Sequence, residues 1–189
     1  MTARLSLLPL AAAATLAFAG LANAAATTPQ VKVHAIFGGT GAHVGQVLDV
    51  RTSGHTTSKV TEICWDPAPI ERPACSPSVN GAPSAVGTTK LTLKLQDGTR
   101  LTKSIKVTAA YRHRGGHGGS DAAPGHVTCA GLKLYGNVGA NDLRATLASG
   151  ARVAQYNQYK NHIFYWEYAT NKSGFGKPGC VADGLGAGA

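Results

Sequence analysis

The chain has 189 residues, with 18 Lys and Arg against 9 Asp and Glu and a formal net charge of +9 at pH 7. This length suits one domain with an adequate hydrophobic core, and the charge favours anionic partners over cationic ones. Beyond residue 24 no segment is long and apolar enough to cross a bilayer, so we expect no transmembrane segment in the mature chain.

Residues 1–24 have the features of a secretory signal peptide. Arg4 supplies the positive charge, residues 5–21 are apolar, and Ala22-Asn23-Ala24 is a small-x-small cleavage site. Retention as a membrane anchor is the alternative, but Pro9 and the cleavage site argue against it. We therefore predict a secreted or periplasmic protein with a single β-rich domain over residues 25–183 and a flexible Gly/Ala tail over 184–189.

Four cysteines follow the leader, and no two of them form a CxxC pair. An even number in an exported chain favours two disulfides over a zinc ribbon or a redox-active dithiol. Three connectivities are possible. We favour Cys64 with Cys75, which closes a short loop, and Cys129 with Cys180, which ties the C-terminal segment to a central strand.

The first part of the chain predicts strands at residues 31–37, 44–51 and 59–65. Gly38-Gly39-Thr40-Gly41 follows the first strand, as a glycine loop does in dinucleotide-binding folds. With Gly39 and Gly41 as the first two glycines, however, the third falls on Val44, and the next segment is too short for a crossover helix. We predict a hairpin turn and expect no nicotinamide cofactor.

Residues 66–84 contain five prolines, which no helix or central strand tolerates. The segment is predicted to be a surface loop that a Cys64–Cys75 bridge would stiffen. A rigid loop loses little entropy on binding, so residues 66–75 could present Arg72-Pro73 to a protease as an inhibitor does. The alternative is a long connection that proline and the disulfide keep ordered.

Residues 88–111 are the most regular part of the sequence. Leu91, Leu93 and Leu95 alternate with polar residues, and so do the apolar residues from Leu101 to Val107, which predicts a β-hairpin with one buried face. A two-residue turn at Asp97-Gly98 would split the apolar set between the faces. A three-residue loop with Gly98 in the left-handed conformation places Leu93 opposite Leu101 and keeps one apolar face.

The other face of this hairpin is predicted to be basic and rich in hydroxyl groups. Residues 90–114 contain seven Lys and Arg against the single Asp97. The candidate ligand-binding cations are Lys90, Lys94, Arg100, Lys106, Arg112 and Arg114. Such a field attracts anionic polysaccharide, lipopolysaccharide or an acidic protein. The alternative is a solvated face whose lysines discourage edge-to-edge strand pairing.

A His/Gly-rich loop over residues 113–126 follows the hairpin. His113, His117, Asp121 and His126 offer imidazole and carboxylate ligands that could hold zinc or copper. The glycines leave the geometry unspecified, so the alternative is an exposed loop whose histidines become charged at mildly acidic pH. We expect no other cofactor.

The last third predicts a strand at residues 127–135, a short helix at 141–150 and an aromatic strand from His162. The helix prediction depends on Asn141 as N-cap, Asp142 in the first turn and Gly150 at the end. Tyr165 and Trp166 are candidates for a sugar-binding platform beside amide side chains, and core packing is the alternative.

Together these elements predict a mainly β fold, an antiparallel β-sandwich or small barrel with one short helix. No catalytic motif is recognisable, although an enzyme with an unfamiliar site stays open. We hypothesise an exported non-enzymatic binding protein that engages an anionic or glycan ligand through the basic hairpin face. The alternatives are an inhibitor presenting the loop 66–75 and a metal-binding protein using the loop 113–126.

Overall fold

The computed structural model describes residues 28–39, 41–54, 58–110 and 121–186. The signal-peptide prediction lies outside them. Within the described ranges the chain forms fifteen strands: β1 Gln30–Ala35, β2 Ala42–His43, β3 Leu48–Ser53, β4 Val60–Asp66, β5 Cys75–Ser76, β6 Asn80–Gly81, β7 Gly87–Leu95, β8 Arg100–Thr108, β9 Ala123–Val127, β10 Leu132–Tyr135, β11 Leu143–Leu147, β12 Arg152–Tyr159, β13 His162–Glu167, β14 Ser173–Gly176 and β15 Val181–Asp183. The mainly β prediction is confirmed.

These strands form three sheets, which are antiparallel except for one short pairing. Residues up to 108 supply a three-stranded sheet, β1-β3-β6, and a five-stranded sheet, β2-β8-β7-β4-β5. The parallel pairing is between β2 and the end of β8. Residues from 123 onward supply a seven-stranded sheet, β11-β10-β14-β13-β12-β9-β15. The sheets therefore divide the chain into an N-terminal and a C-terminal half.

The N-terminal half is a two-sheet sandwich. Its core joins Val31, Leu48 and Val50 of the three-stranded sheet to apolar residues of the five-stranded sheet, namely Ile63, Trp65, Leu91 and Leu93. Leu91 and Leu93 are fully buried, because their alternation with polar residues gives β7 one apolar face.

The seven-stranded sheet curls around a core of its own. Val127 on β9, near one edge, belongs to the same buried cluster as Ala145 and Leu147 on β11, at the other edge. The backbone N–H of Val127 also donates to the carbonyl of Ala151 just before β12 (2.9 Å). One sheet thus supplies both walls of its core.

A third buried cluster joins the two halves. It contains Val47, Ile70 and Ala82 from the N-terminal half and Ala122, Ala154, Tyr156 and Tyr168 from the C-terminal half. The hydroxyl of Tyr168 donates to the carbonyl of Gly45 over 2.8 Å. A Cβ atom at Gly45 would lie 2.8 Å from both Pro124 Cβ and the Tyr168 hydroxyl, so the close approach requires glycine.

The hairpin has the predicted register. Leu93 pairs with Leu101 and Lys94 with Arg100, and Gly98 takes φ +85° in a loop of residues 96–98. The N–H of Leu95 donates to the carbonyl of Thr99 (2.9 Å), and the N–H of Gly98 donates to that of Leu95 (3.0 Å). The three-residue loop is therefore confirmed.

Both predicted disulfides are present. Cys64 bonds to Cys75 with a Cα–Cα distance of 4.0 Å, and Cys129 bonds to Cys180 with 5.1 Å. The first links β4 to β5, and the second holds the start of β15 beside the segment that follows β9. No free cysteine occurs in the described part of the chain.

The predicted helix at residues 141–150 is wrong. Leu143–Leu147 is strand β11, in which Ala145 and Leu147 are buried and their neighbours exposed. Its pairing with β10 buries that alternating pair in the core of the C-terminal half. Each helix cap stabilises a ten-residue segment by about 1 kcal/mol. Burial of two apolar side chains in the sheet contributes more, so the strand forms instead of the helix.

The predicted strand at residues 127–135 is also wrong, because it is two strands. β9 ends at Val127 and pairs with β12 and β15, whereas β10 begins at Leu132 and pairs with β11 and β14. Between them the N–H of Thr128 donates to the carbonyl of Cys180 (2.8 Å) next to the disulfide. The Cys129–Cys180 disulfide thus lies at the point where the chain leaves β9.

The start of the predicted Gly/Ala tail contacts the C-terminal half. The N–H of Gly184 donates to the carbonyl of Pro124 (2.8 Å), and Leu185 packs against the third buried cluster. Residues 187–189 lie outside the described residues. The part of the chain that the structure describes also contains no helix that could cross a membrane.

We predict that Tyr168→Phe lowers the free energy of unfolding by about 1–2 kcal/mol, because it leaves the buried carbonyl of Gly45 without its donor. The measurement is urea unfolding followed by tryptophan fluorescence. Tyr159→Phe is the matched control, since Tyr159 is 54% exposed. Equal stability of the two variants would show that this hydrogen bond does not hold the halves together.

Candidate functional site

The hairpin gathers the predicted cations on the solvent side of the five-stranded sheet. Lys90, Lys94, Arg100 and Lys106 are exposed and lie on the face opposite the buried leucines. Threonine and serine fill the positions between them: Thr88, Thr92, Thr102, Ser104 and Thr108. We call these nine residues the outer hairpin face. Among the described residues none of its four cations forms a salt bridge.

Two carboxylates border the outer hairpin face, which the sequence did not indicate. Strand β4 lies beside β7 and places Glu62 opposite Lys94 and Asp66 opposite Lys90. Directly opposite residues have Cβ atoms about 5 Å apart. The field is therefore most positive along β8, where Arg100 and Lys106 lie one strand further from these carboxylates.

Lys103 belongs to the other face of the hairpin. It pairs with the buried Leu91, and its ammonium group donates to the carbonyl of Val31 on β1 (3.2 Å). The sequence already indicated this position, because Lys103 stands between Leu101 and Ile105 in the alternating apolar series. A lysine on an otherwise apolar face indicates a strand whose edge opens to solvent.

The tip of the hairpin carries its one acidic side chain, Asp97. The backbone N–H of Thr99 donates to its Oδ1 (2.9 Å) and holds the pKa of Asp97 below its usual value. The backbone N–H of Asp97 donates to Ser58 Oγ (3.1 Å). Asp97 is thus a turn residue that stays ionised at the end of the basic strands.

Four of the candidate residues lie outside the described residues: Arg112, His113, Arg114 and His117. The two remaining candidates of the His/Gly loop have different surroundings. Asp121 Oδ1 lies 3.5 Å from His43 Nε2, whereas His126 Nδ1 is 2.9 Å from the carbonyl of Gly184. The two residues are five positions apart along the chain, on the order of 15 Å for extended backbone. Asp121 and His126 therefore do not converge on one ion.

One metal-type cluster occurs in the described part of the chain, formed by Glu62, Cys64 and Cys75. Its two cysteines are bonded to each other, so their sulfur atoms are not thiolates and cannot act as metal ligands in this form. Metal binding by the loop 113–126 stays a prediction.

Tyr165 is a core residue, which corrects its assignment to a ligand-binding platform. It is 0% exposed and belongs to the cluster inside the curled sheet. Its neighbour Trp166 is partly buried against the cluster between the halves, and its indole N–H donates to Asn171 Oδ1 (3.0 Å). Strand alternation sends the two rings to opposite faces, and each face is already packed.

Four other aromatic rings, one from the N-terminal half and three from the C-terminal half, meet edge to face. The ring centroid of Phe37 lies 4.7 Å from that of Tyr156 and 5.1 Å from that of Phe164. The ring centroids of Phe164 and Phe175 are 5.2 Å apart. The interplanar angles are 77°, 79° and 81°. Rings at such angles do not form the flat row on which successive sugar rings stack. The described aromatic residues therefore favour packing over glycan binding.

The proline-rich loop is held between the halves at its centre. Ile70 is buried in the cluster that joins them. The guanidinium of Arg72 donates through Nε to the carbonyl of Tyr168 (2.7 Å) and through Nη2 to that of Ala169 (3.3 Å). A protease inhibitor must present such a residue to solvent. The geometry thus favours the alternative of an ordered connection.

No protein-family model matches the chain, and searches of curated proteins and of solved structures found no match.

We predict that the free energy of unfolding falls less at alkaline pH in Tyr165→Phe than in the wild type. Burial raises the pKa of Tyr165 to about 12, above the usual 10.0. Between these values the unfolded chain ionises this tyrosine while the native protein keeps it neutral, so stability falls as pH rises above about 10. Phenylalanine removes this contribution.

The measurement compares urea unfolding at about pH 8 and about pH 11 for wild type, Tyr165→Phe and the exposed control Tyr159→Phe. We expect a smaller difference between the two pH values for Tyr165→Phe alone. An unchanged difference would assign the alkaline loss to other groups, such as the buried Tyr156 and Tyr168.

Proposed function

We propose that the protein is an exported, non-enzymatic binding protein that engages an anionic polysaccharide through the outer hairpin face. The observation that carries this proposal is the register of β7 and β8. It aligns Lys90, Lys94, Arg100 and Lys106 on one exposed face with hydroxyl groups between them. Ammonium and guanidinium groups bind sulfate, phosphate and carboxylate, and the hydroxyls can donate to the same groups.

Three further features support an anionic ligand over a neutral glycan. The chain carries a net charge of +9. Four aromatic rings, those of Phe37, Tyr156, Phe164 and Phe175, pack edge to face instead of forming a flat row. Two disulfides and a leader of the secretory type fit an oxidising compartment, where acidic polysaccharides and lipopolysaccharide occur.

We predict that Lys94→Ala/Arg100→Ala weakens binding to heparin, used as the probe, at least fivefold at low salt. The double variant should also flatten the dependence of affinity on salt concentration, because fewer counterions are released on binding. The measurement is titration calorimetry with heparin at two salt concentrations, with neutral dextran as the reference polymer.

Lys133→Ala/Lys172→Ala is the matched control, because it removes the same charge from two exposed residues of the C-terminal half. It should reduce affinity far less than the hairpin variant. Equal losses in both variants would mean that net charge alone drives binding. Tight binding to lipopolysaccharide or to an acidic protein but not to heparin would move the proposal to that ligand class.

A second variant should raise the affinity for heparin. Glu62→Gln removes the carboxylate opposite Lys94 and should raise the affinity for heparin about two- to threefold at low salt, since unlike charges a few ångströms apart in water interact by less than about 1 kcal/mol. Asp142→Asn removes one exposed carboxylate from the C-terminal half and is the control. If both variants behave alike, heparin does not bind beside β4.

A further inference from the structure

One side of the N-terminal sandwich is open. β1 is an edge strand of the three-stranded sheet, and β8 pairs with β2 only at Val107 and Thr108. Within the described ranges no strand pairs with residues 100–106 of β8 on the side away from β7. The edges of β1 and β8 face each other across this opening, where Lys103 reaches the carbonyl of Val31.

The edge of β8 presents its backbone groups in a regular series. The hydrogen bond from Leu95 to Thr99 fixes which residues of the hairpin bond across the pair. Leu93 with Leu101 and Leu91 with Lys103 are then hydrogen-bonded pairs, because these alternate along an antiparallel ladder. Arg100, Thr102 and Ser104 consequently direct their N–H and C=O groups away from β7, as an added strand requires.

A cleft runs along the opening on both sides of Lys103. One cavity of about 580 Å³ is lined by His34, Gly39, Lys103 and Lys106 among others. A second of about 310 Å³ is lined by Gln30, Leu101 and Lys103 among others. No aspartate or glutamate lines either cavity within the described residues. The cleft is therefore bordered by basic side chains and by two open strand edges.

We propose that this cleft takes an extended acidic peptide of another protein, which adds as a strand to the edge of β8. Backbone hydrogen bonds to residues 100–104 would supply affinity, and Arg100, Lys103 and Lys106 would select acidic side chains. A second copy of this chain is a poor occupant, because both copies carry a large positive charge. This site differs from the outer hairpin face in using the backbone edge and Lys103.

The probe is a fluorescent eight-residue peptide of alternating Glu and Val, with a Lys-Val peptide of the same length as the charge control. Two further analogues carry N-methyl groups on all Glu or on all Val residues, which removes half of the backbone donors at constant charge. Fluorescence anisotropy should show binding of the Glu-Val peptide and not of the Lys-Val peptide. At least one methylated analogue should bind tenfold more weakly or worse.

The matching change in the protein is Ser104→Pro. It deletes an N–H group that faces the edge and leaves the ladder to β7 intact, a position that tolerates proline. Ser104→Ala is the control. We expect the peptide affinity of Ser104→Pro to be at least tenfold weaker than that of Ser104→Ala. Both variants remove the same hydroxyl from the outer hairpin face, so they should bind heparin equally, and this equality separates the β8 edge from the outer hairpin face.

Several outcomes would overturn the proposal. One is the absence of binding by the Glu-Val peptide, and another is equal binding of all three Glu-bearing peptides, which would indicate charge attraction without strand addition. Concentration-dependent dimers that Ser104→Pro abolishes would assign the edge to a second copy. Peptide binding that appears only after removal of residues 25–29 would assign the cleft to the chain's own N-terminal segment. If Ser104→Pro fails to fold, the methylated peptides decide.

Discussion

The register of the β7–β8 hairpin is the constraint on which the N-terminal half and its surface both depend. Gly98 takes a left-handed conformation that completes a three-residue loop, and this loop sets Leu93 opposite Leu101. A shift of one residue would exchange the faces of one strand relative to the other. The sandwich would then lose buried leucines, and the exposed lysines would no longer form one surface. Core packing and charge placement are thus consequences of the same turn.

The hairpin was predictable from the sequence because its signals are local. Alternation over about twenty residues fixes the faces, and the need for a single apolar face selects the three-residue loop that ends at Gly98. The helix at 141–150 failed because the local capping signals compete with burial of Ala145 and Leu147 in a sheet whose other strands are distant in sequence. The sequence also did not indicate the carboxylates that border the outer hairpin face, because they lie on β4, a strand distant in sequence. Nothing local shows that Glu62 lies beside Lys94.

The two halves are joined by contacts that combine burial with directed hydrogen bonds. Tyr168 packs into the cluster between the halves and donates to Gly45, while its own carbonyl accepts from Arg72. Burial raises the pKa of Tyr168 well above its usual value, so its hydroxyl remains a donor throughout the physiological range. The proline-rich loop is therefore part of the junction. Its residues Ile70 and Arg72 both contact the C-terminal half.

The basic residues of β8 have two physical consequences at the open side of the sandwich. An exposed strand edge invites pairing with another chain, and lysines on the edge oppose this because two copies repel each other. The same charges would lower the free-energy cost of approach for an acidic chain, whose side chains could neutralise Arg100, Lys103 and Lys106. One electrostatic property would thus both oppose self-association and select an anionic partner. This holds for a ligand on the side chains of the outer hairpin face and for a strand on the backbone edge of β8.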